Sequence, residues 1–314
     1  MTAAPAATKI QAKQRPGDRW FSGTALAAGG MILVTLAAVA IFLIVQSIPA
    51  IGASSSQASL LTTNFFDYVW PLLFGTIWAA LLALLMAVPL SLGVALFITH
   101  YAPRRIAQGL GYIVDLLAAV PSVVFGLWGI LVLAPAVQPV YVWLNTYMGW
   151  FPLFGGEVSA TGRTIFTAAI VLAVMVVPII TAICREIFLQ TPVLHEEAAL
   201  ALGATRWEMI RMAVLPFGRS GIVSASMLGL GRALGETMAV AMVLSATGTV
   251  TLQLFTSTNP STIAANIALT FPEAFGTNIN VLIATGLVLF VVTFAVNFIA
   301  RWIVNRRKEF SGAN

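Results

Sequence analysis

The sequence predicts an all-α integral membrane protein of about six transmembrane helices, and three observations predict it. The 314 residues are 59% hydrophobic and 9% charged, with a mean hydropathy of +0.95, whereas soluble domains are about one quarter charged. Stretches free of charge (20–66, 68–103, 116–156, 164–184, 237–272 and 274–300) each match or exceed the ~20 residues that a helix needs to cross a bilayer. Finally, the basic residues fall on one side once helices are drawn.

Spans are expected near 24–47, 71–99, 112–134, 164–185, 220–246 and 280–304. Residues 1–20, rich in Ala, Lys, Gln and Pro, read as a disordered tail, with the membrane domain over 21–310. The first apolar run, followed by AIGA at 50–53, is too long for the 7–15-residue core of a cleaved signal, so it is expected to be retained. In the 49–70 loop, Phe65, Phe66, Tyr68 and Trp70 are expected in an interfacial aromatic belt. Pro121, followed by Gly126 and Gly129, is expected to kink or break the third span and to let it pack closely inside the bundle. The 135–163 stretch, with Trp143, Tyr147 and Trp150, reads as a loop with an interfacial segment on the opposite side from the termini.

Fourteen of the 16 Lys and Arg residues lie in the N-terminal tail, the turn at Arg104 and Arg105, the segment carrying Arg185, Arg206, Arg211 and Arg219, or the C-terminal end. The opposite loops hold only Arg163, and Arg232 lies within a span. The positive-inside rule therefore puts both termini and the 190–219 loop in the cytoplasm. The net charge of +5 is a topology signal and does not imply nucleic acid. One cysteine, Cys184, and two histidines exclude a disulfide framework and a His/Cys metal cluster. All three lysines lie in the tails, so no G-x-x-x-x-G-K-[ST] phosphate loop exists in the chain.

Between spans four and five runs QTPVLHEEAALALGATRWEMIRMAVLPFGR, residues 190–219. Thr191 is positioned to cap a helix with Pro192 at its first position, and Gly203 to end it in the left-handed conformation. Thr205 and Glu208 form a T-x-x-E capping box for a second helix, expected to end before Pro216. Glu197, Ala198, Ala199, Gly203 and the closing Leu215 and Pro216 resemble the E-A-A, three-residue, Gly and L-P spacing of permease subunits in bacterial ABC importers. Ala213 departs from the isoleucine usual there but keeps its apolar character. The resemblance covers about 71–304 and implies a type I importer bundle whose loop couples to a separate ATPase. ATP and magnesium would be bound by that ATPase, with no cofactor in this chain.

Span five places Arg232 about 13 residues beyond Arg219, roughly 20 Å into a ~30 Å hydrocarbon core. A lone guanidinium there is costly, so it must face a partner or a polar cavity. Read as one helix, Glu236 at i+4 shares its face, with Gly229, Gly231 and Gly235 thinning the surface around the two. Arginine also suits forked contact with an oxyanion, while a self-neutralising packing pair is the alternative.

GRALGETMAV together with VPSVVFGLWG resembles the phosphate-specific importer permeases of the PstC type, with Arg232 and Glu236 on that family's charged positions. The resemblance implies phosphate import into a bacterial cell across its inner membrane. Arg232 and Glu236 would lie in the pathway, beside a helix break at Pro121 and Ser122. It further implies a PstA-like second permease, two copies of a cytoplasmic ATPase and an extracytoplasmic phosphate-binding protein. Sulfate or molybdate import, an ion-driven secondary carrier and a membrane scaffold are the alternatives. The loop signature argues against the carrier, and the charged residues against the scaffold.

Overall fold

The computed structural model describes residues 16–308. Six of its helical runs are long and apolar enough to cross a membrane: Trp20–Ile51, Phe65–Tyr101, Ser122–Met148, Ile165–Leu189, Arg206–Gly235 and Thr277–Trp302. The helices are α1 (Pro16–Ile51), α2 (Phe65–Leu96), α3 (Arg104–Ala118), α4 (Ser122–Trp128), α5 (Ala134–Met148), α6 (Ile165–Leu189), α7 (Val193–Ala201), α8 (Arg206–Met209), α9 (Leu215–Gly235), α10 (Met238–Val243), α11 (Ile263–Thr270) and α12 (Thr277–Lys308). Of the expected tail, residues 1–15 lie outside the described residues, and 16–20 already belong to α1.

Proline placement explains the joins. Three π turns, Phe97–Tyr101, Gly129–Leu133 and Ile210–Val214, are each followed by one residue and then a proline: Pro103, Pro135 and Pro216. In each, the intervening N–H reaches back five residues, Ala102 to the Phe97 carbonyl, Ala134 to Gly129 and Leu215 to Ile210. Widening the turn relieves the proline ring from the carbonyl four residues earlier and re-pairs the backbone. At Pro135 and Pro216 the helix continues, so two sequence expectations are corrected. The helix of the 190–219 loop does not end before Pro216 but runs on as span five from Arg206. Span three likewise does not end at 134 but reaches Met148, carrying Trp143 and Tyr147 on its exposed surface.

Span three also starts later than expected. Arg104–Ala118 is a separate helix, Pro121 is the extended residue at which α4 begins, and the span opens at Ser122. Proline cannot donate the N–H that a continuing helix needs, but fits at a helix start.

The centre of the bundle is α6. It is buried over 67% of its most apolar stretch, whereas α1 is buried over none and packs along α12 at the edge. Ile165, Leu172, Met175, Ile180 and Phe188 of α6 are fully enclosed by α2, α9 and the α4–α5 run. Small residues permit this. A Cβ on Gly229 would lie 2.7 Å from Val176 and Ile180 atoms of α6. The α1–α12 seam is held by Asn280, whose amide donates to the Gln46 backbone carbonyl (2.8 Å) and side chain (3.1 Å). The aromatic belt is only partly formed: Phe66 and Trp70 are exposed, while Phe65 is buried and the Tyr68 hydroxyl donates to Asn266 Oδ1 at 2.6 Å.

At the end opposite the basic residues, the chain between α10 and α11 folds back over the bundle. Asn259 pins it, donating to the carbonyls of Ser245 (3.3 Å) and Thr256 (2.7 Å) and accepting from Ile165 N–H (3.2 Å). Tyr141 stacks on Phe255 beneath this segment and shares a hydrogen bond with Thr167.

Candidate functional site

Arg232 lies in the last turn of α9, and there the helix stops. Glu236 is extended (φ −69°, ψ 125°), and the short helix α10 follows. The expectation that Arg232 and Glu236 share one helical face is therefore corrected. No ion pair within 4.0 Å joins them among the described residues. Glu236 is buried and turns forward, its Oε1 accepting the Ala239 N–H at 3.1 Å, a carboxylate at the positive end of α10. Arg232 is exposed and borders a cavity of about 810 Å³ between α6, α9 and α12. The helix breaks here because glycines weaken it and Glu236 offers its side chain to the next turn of backbone.

The three glycines divide. Gly229 is filled by α6, as described, while Gly231 and Gly235 have no atom within 4 Å of where a Cβ would stand and leave open space beside Arg232. Pro121 and Ser122 open α4, the helix that α10 covers. Helix α10 packs against α4 so closely that a Cβ on Gly126 would lie 3.0 Å from Ala239 Cα, and one on Gly129 2.7 Å from Val243. From the loop at the far end, Arg163 donates to the Met242 carbonyl at 3.1 Å, holding the last turn of α10 with a positive charge at its negative end.

The 190–219 loop forms the helix, glycine and helix expected. Gly203 is left-handed (φ +86°), with the Gly203 N–H on the Leu200 carbonyl (3.0 Å) and the Ala204 N–H on the Ala199 carbonyl (3.2 Å), a Schellman ending. Glu208 Oε2 accepts from Thr205 N–H (2.8 Å) while Thr205 Oγ1 accepts from Glu208 N–H (3.3 Å), completing the capping box. Thr191 is a correction: it is buried, its hydroxyl has no partner among the described residues, and Pro192 occupies the capping position. Met209, Ile210 and Val214 anchor the element in the bundle. Its outer surface shows Leu194, Leu202 and Trp207, with Leu202 90% exposed, alongside exposed Glu197 and Ala198. Leu215 is partly buried and Pro216 exposed at the loop's inner end.

A contact that the sequence did not reveal joins this loop to span two. Glu196 Oε1 of α7 lies 3.5 Å from His100 Nε2, and His100 Nδ1 is 2.6 Å from Thr99 Oγ1. His100 and Glu196 are far apart in sequence, and only folding brings them together.

Residues 87–309 match the family model described as "Binding-protein-dependent transport system inner membrane component". The chain belongs to this permease family. Relatives of this permease agree over nearly its whole length. It is 50% identical to "Phosphate transport system permease protein PstC 2" of Mycobacterium tuberculosis over 92% of both chains. It is 46% identical to the PstC protein of Mycobacterium leprae (92% and 94%) and 38% identical to that of Mesorhizobium japonicum (94% and 92%). In fold it matches a chain of a bacterial alginate ABC importer with a TM-score of 0.62 at 17% identity, covering 92% of this permease and 96% of that chain. It also matches a chain of the inward-facing MetNI methionine transporter, with a TM-score of 0.51 at 20% identity over 76% and 93%. With six apolar spans, this permease is a multi-pass membrane protein.

The His100–Glu196 contact yields a prediction. Glu196→Ala should leave this permease in the membrane at normal level but lower uptake of its substrate several-fold, because α7 loses a fixed contact with span two. Unchanged uptake beside a normal membrane blot would remove the contact from coupling.

Proposed function

We propose that this chain is the transmembrane permease subunit of an ATP-driven importer that carries inorganic phosphate into the cell by alternating access. The observation carrying the reading is the guanidinium of Arg232 at the broken end of α9, without an ion pair or hydrogen bond among the described residues and bordering a cavity lined by span helices. The names of relatives at 38–50% identity supply the substrate. Two guanidinium edges make Arg232 a permanent, forked partner for an oxyanion crossing a low-dielectric region.

The absence of a phosphate loop makes the chain a non-enzymatic part of the machine, with ATP and magnesium held elsewhere. The exposed apolar residues on the 190–219 element, rimmed by Glu197 and Glu208, suit a cleft on a cytoplasmic ATPase. Two such ATPases, a PstA-like second permease and an extracytoplasmic phosphate-binding protein complete the assembly. The single chain leaves a broad apolar surface on α4, α5 and α9 for lipid and the second permease. ATP-driven closure would move the 190–219 element. Because α8 runs through the π turn into α9, the motion passes directly to the helix bearing Arg232.

In this reading both termini and the 190–219 loop are cytoplasmic in the inner membrane. In a Cys184→Ser background, cysteines at the exposed positions Ser55 and Thr258 should react with an impermeant maleimide added outside, and one at Gln190 should not. Outside labelling of Gln190 would invert the topology. Uptake of radiolabelled phosphate by vesicles holding the assembled importer, with sulfate and arsenate as competitors, tests the substrate. Arsenate should compete and sulfate should not. Preferred uptake of sulfate would move the chain to another oxyanion.

A further inference from the structure

The cavity that Arg232 borders holds a second cation. Arg301, on α12, lines the same space of about 810 Å³, together with Ser224 and Gly231 of α9 and Asn297 of α12. Among the described residues no carboxylate lines it, and neither guanidinium has an ion pair or hydrogen bond. The two arginines come from consecutive crossings, so α9 and α12 run antiparallel. Because Cα–Cβ bonds in a helix tilt towards its N-terminus, Arg232 leans towards the basic end and Arg301 away from it. The two Cα–Cβ bonds therefore lean towards one another along the membrane normal. Ser224 already donates to the Ser220 carbonyl and Asn297 to the Thr293 carbonyl. The Asn297 carbonyl oxygen and the Ser224 lone pairs are left as acceptors.

Two fixed positive charges lining one cavity repel each other and favour an anion carrying two charges. From this we infer that Arg301 is a second anion-holding residue, which with Arg232 forms a dianion site for a phosphate-type oxyanion in the cavity they share. The inference rests on the import reading above and deepens it. Arg232 alone neutralises a monoanion; Arg232 and Arg301 together neutralise the dianionic form of phosphate. The acceptor oxygens can accept a hydrogen bond from the P–O–H group of the dianion, which still carries one proton. Glu236, buried and committed to Ala239, is outside this charge balance.

The test uses the assembled importer in vesicles, reading phosphate uptake from mildly acidic to mildly basic pH, across the second ionisation of phosphate. Arg301→Gln should assemble with its ATPase and lower uptake roughly tenfold at basic pH but by less than about threefold at acidic pH, where the monoanion needs one countercharge. Arg301→Lys should keep most of the uptake and the original pH profile. A structural or topological role would not move the profile. Normal uptake by Arg301→Gln, or an equal loss at every pH, would overturn the inference. An assembled Arg301→Lys that imports nothing would do the same.

If the neutral variant fails to assemble, Arg301→Cys in a Cys184→Ser background can be modified after assembly. A cationic methanethiosulfonate should restore uptake and a neutral one should not; equal effects would overturn the inference. A lipid headgroup is the other source of the same chemistry. Uptake should therefore be compared in phosphatidylcholine alone and with phosphatidylglycerol added. Modification of the introduced thiol slowed by free phosphate in both lipids supports the transport site, whereas protection only by phosphatidylglycerol assigns Arg301 to lipid. Failure of the underlying reading is distinguishable, since the unaltered importer would then not take up phosphate, or Arg232→Gln would take it up normally.

Discussion

Arg232→Gln should reduce phosphate uptake by roughly 30- to 150-fold while leaving insertion and assembly intact, the loss of about 2–3 kcal/mol for a charge-assisted contact with an anion. Assembly should survive because the Arg232 side chain is exposed, borders the cavity and makes no ion pair or hydrogen bond among the described residues. Arg232→Lys keeps the charge and loses the fork, so uptake should fall less, with phosphate affinity weakened more than maximal rate. Glu236→Gln is a separate probe. An amide oxygen can still accept the Ala239 N–H, so the break between α9 and α10 should hold. If uptake is lost in an assembled Glu236→Gln complex, the carboxylate charge itself acts in transport. Changing Arg232 to Gln and Glu236 to Met together removes both charges and also the acceptor for Ala239, at a cost of about 1 kcal/mol locally. Normal uptake by the double variant would take both residues out of the pathway. Membrane blots and uptake measured on the same vesicles separate these outcomes.

Much of this organisation is legible in the sequence, and the misses have physical causes. Charge-free length locates five of the six spans, since every lipid-exposed crossing must be a helix, but span five carries Arg206, Glu208, Arg211, Arg219 and Arg232, and the charge-free stretch 237–272 holds only short helices and the segment between them. Local backbone signals predict the turn at Gly203 and the Thr205–Glu208 box, because both are set within six residues. Proline is where the reading divides. At Pro121 it stops one helix and starts another; at Pro135 and Pro216 a π turn carries the helix past it. Deciding between these needs the packing around the proline, which neighbouring residues in sequence do not encode. The break at Glu236 is hidden for a related reason. Four residues in a helical pattern look like one turn, and it is the extended backbone of Glu236, with α10 packed against Gly126 and Gly129, that shows the chain has left the helix. Long-range partners such as His100 with Glu196, and Arg301 with the Arg232 cavity, have no local signal at all.

Gly203→Val should uncouple the importer: the complex should form in the membrane, but phosphate uptake should fall on the order of tenfold. The cause is confined to the backbone. Gly203 has φ +86°, and no atom stands within 4 Å of where its Cβ would be, so no clash with a neighbour contributes. A β-branched residue there costs about 1–2 kcal/mol in the left-handed region, enough to shift the loop away from the Schellman geometry in an appreciable fraction of molecules. The two hydrogen bonds to Leu200 and Ala199 would loosen, and α7 would lose its fixed angle to α8. Since α8 continues through the π turn into α9, an ATPase pushing on a mispositioned α7 would no longer drive the Arg232-bearing helix. Asparagine tolerates positive φ better than other side-chain-bearing residues, so Gly203→Asn should retain most of the uptake and Gly203→Ala should fall between. That order, asparagine above alanine above valine, is the mark of backbone strain. If all three variants import equally, the glycine turn does not transmit the ATPase stroke. If all three fail equally with the ATPase absent from the membrane, the turn serves docking itself.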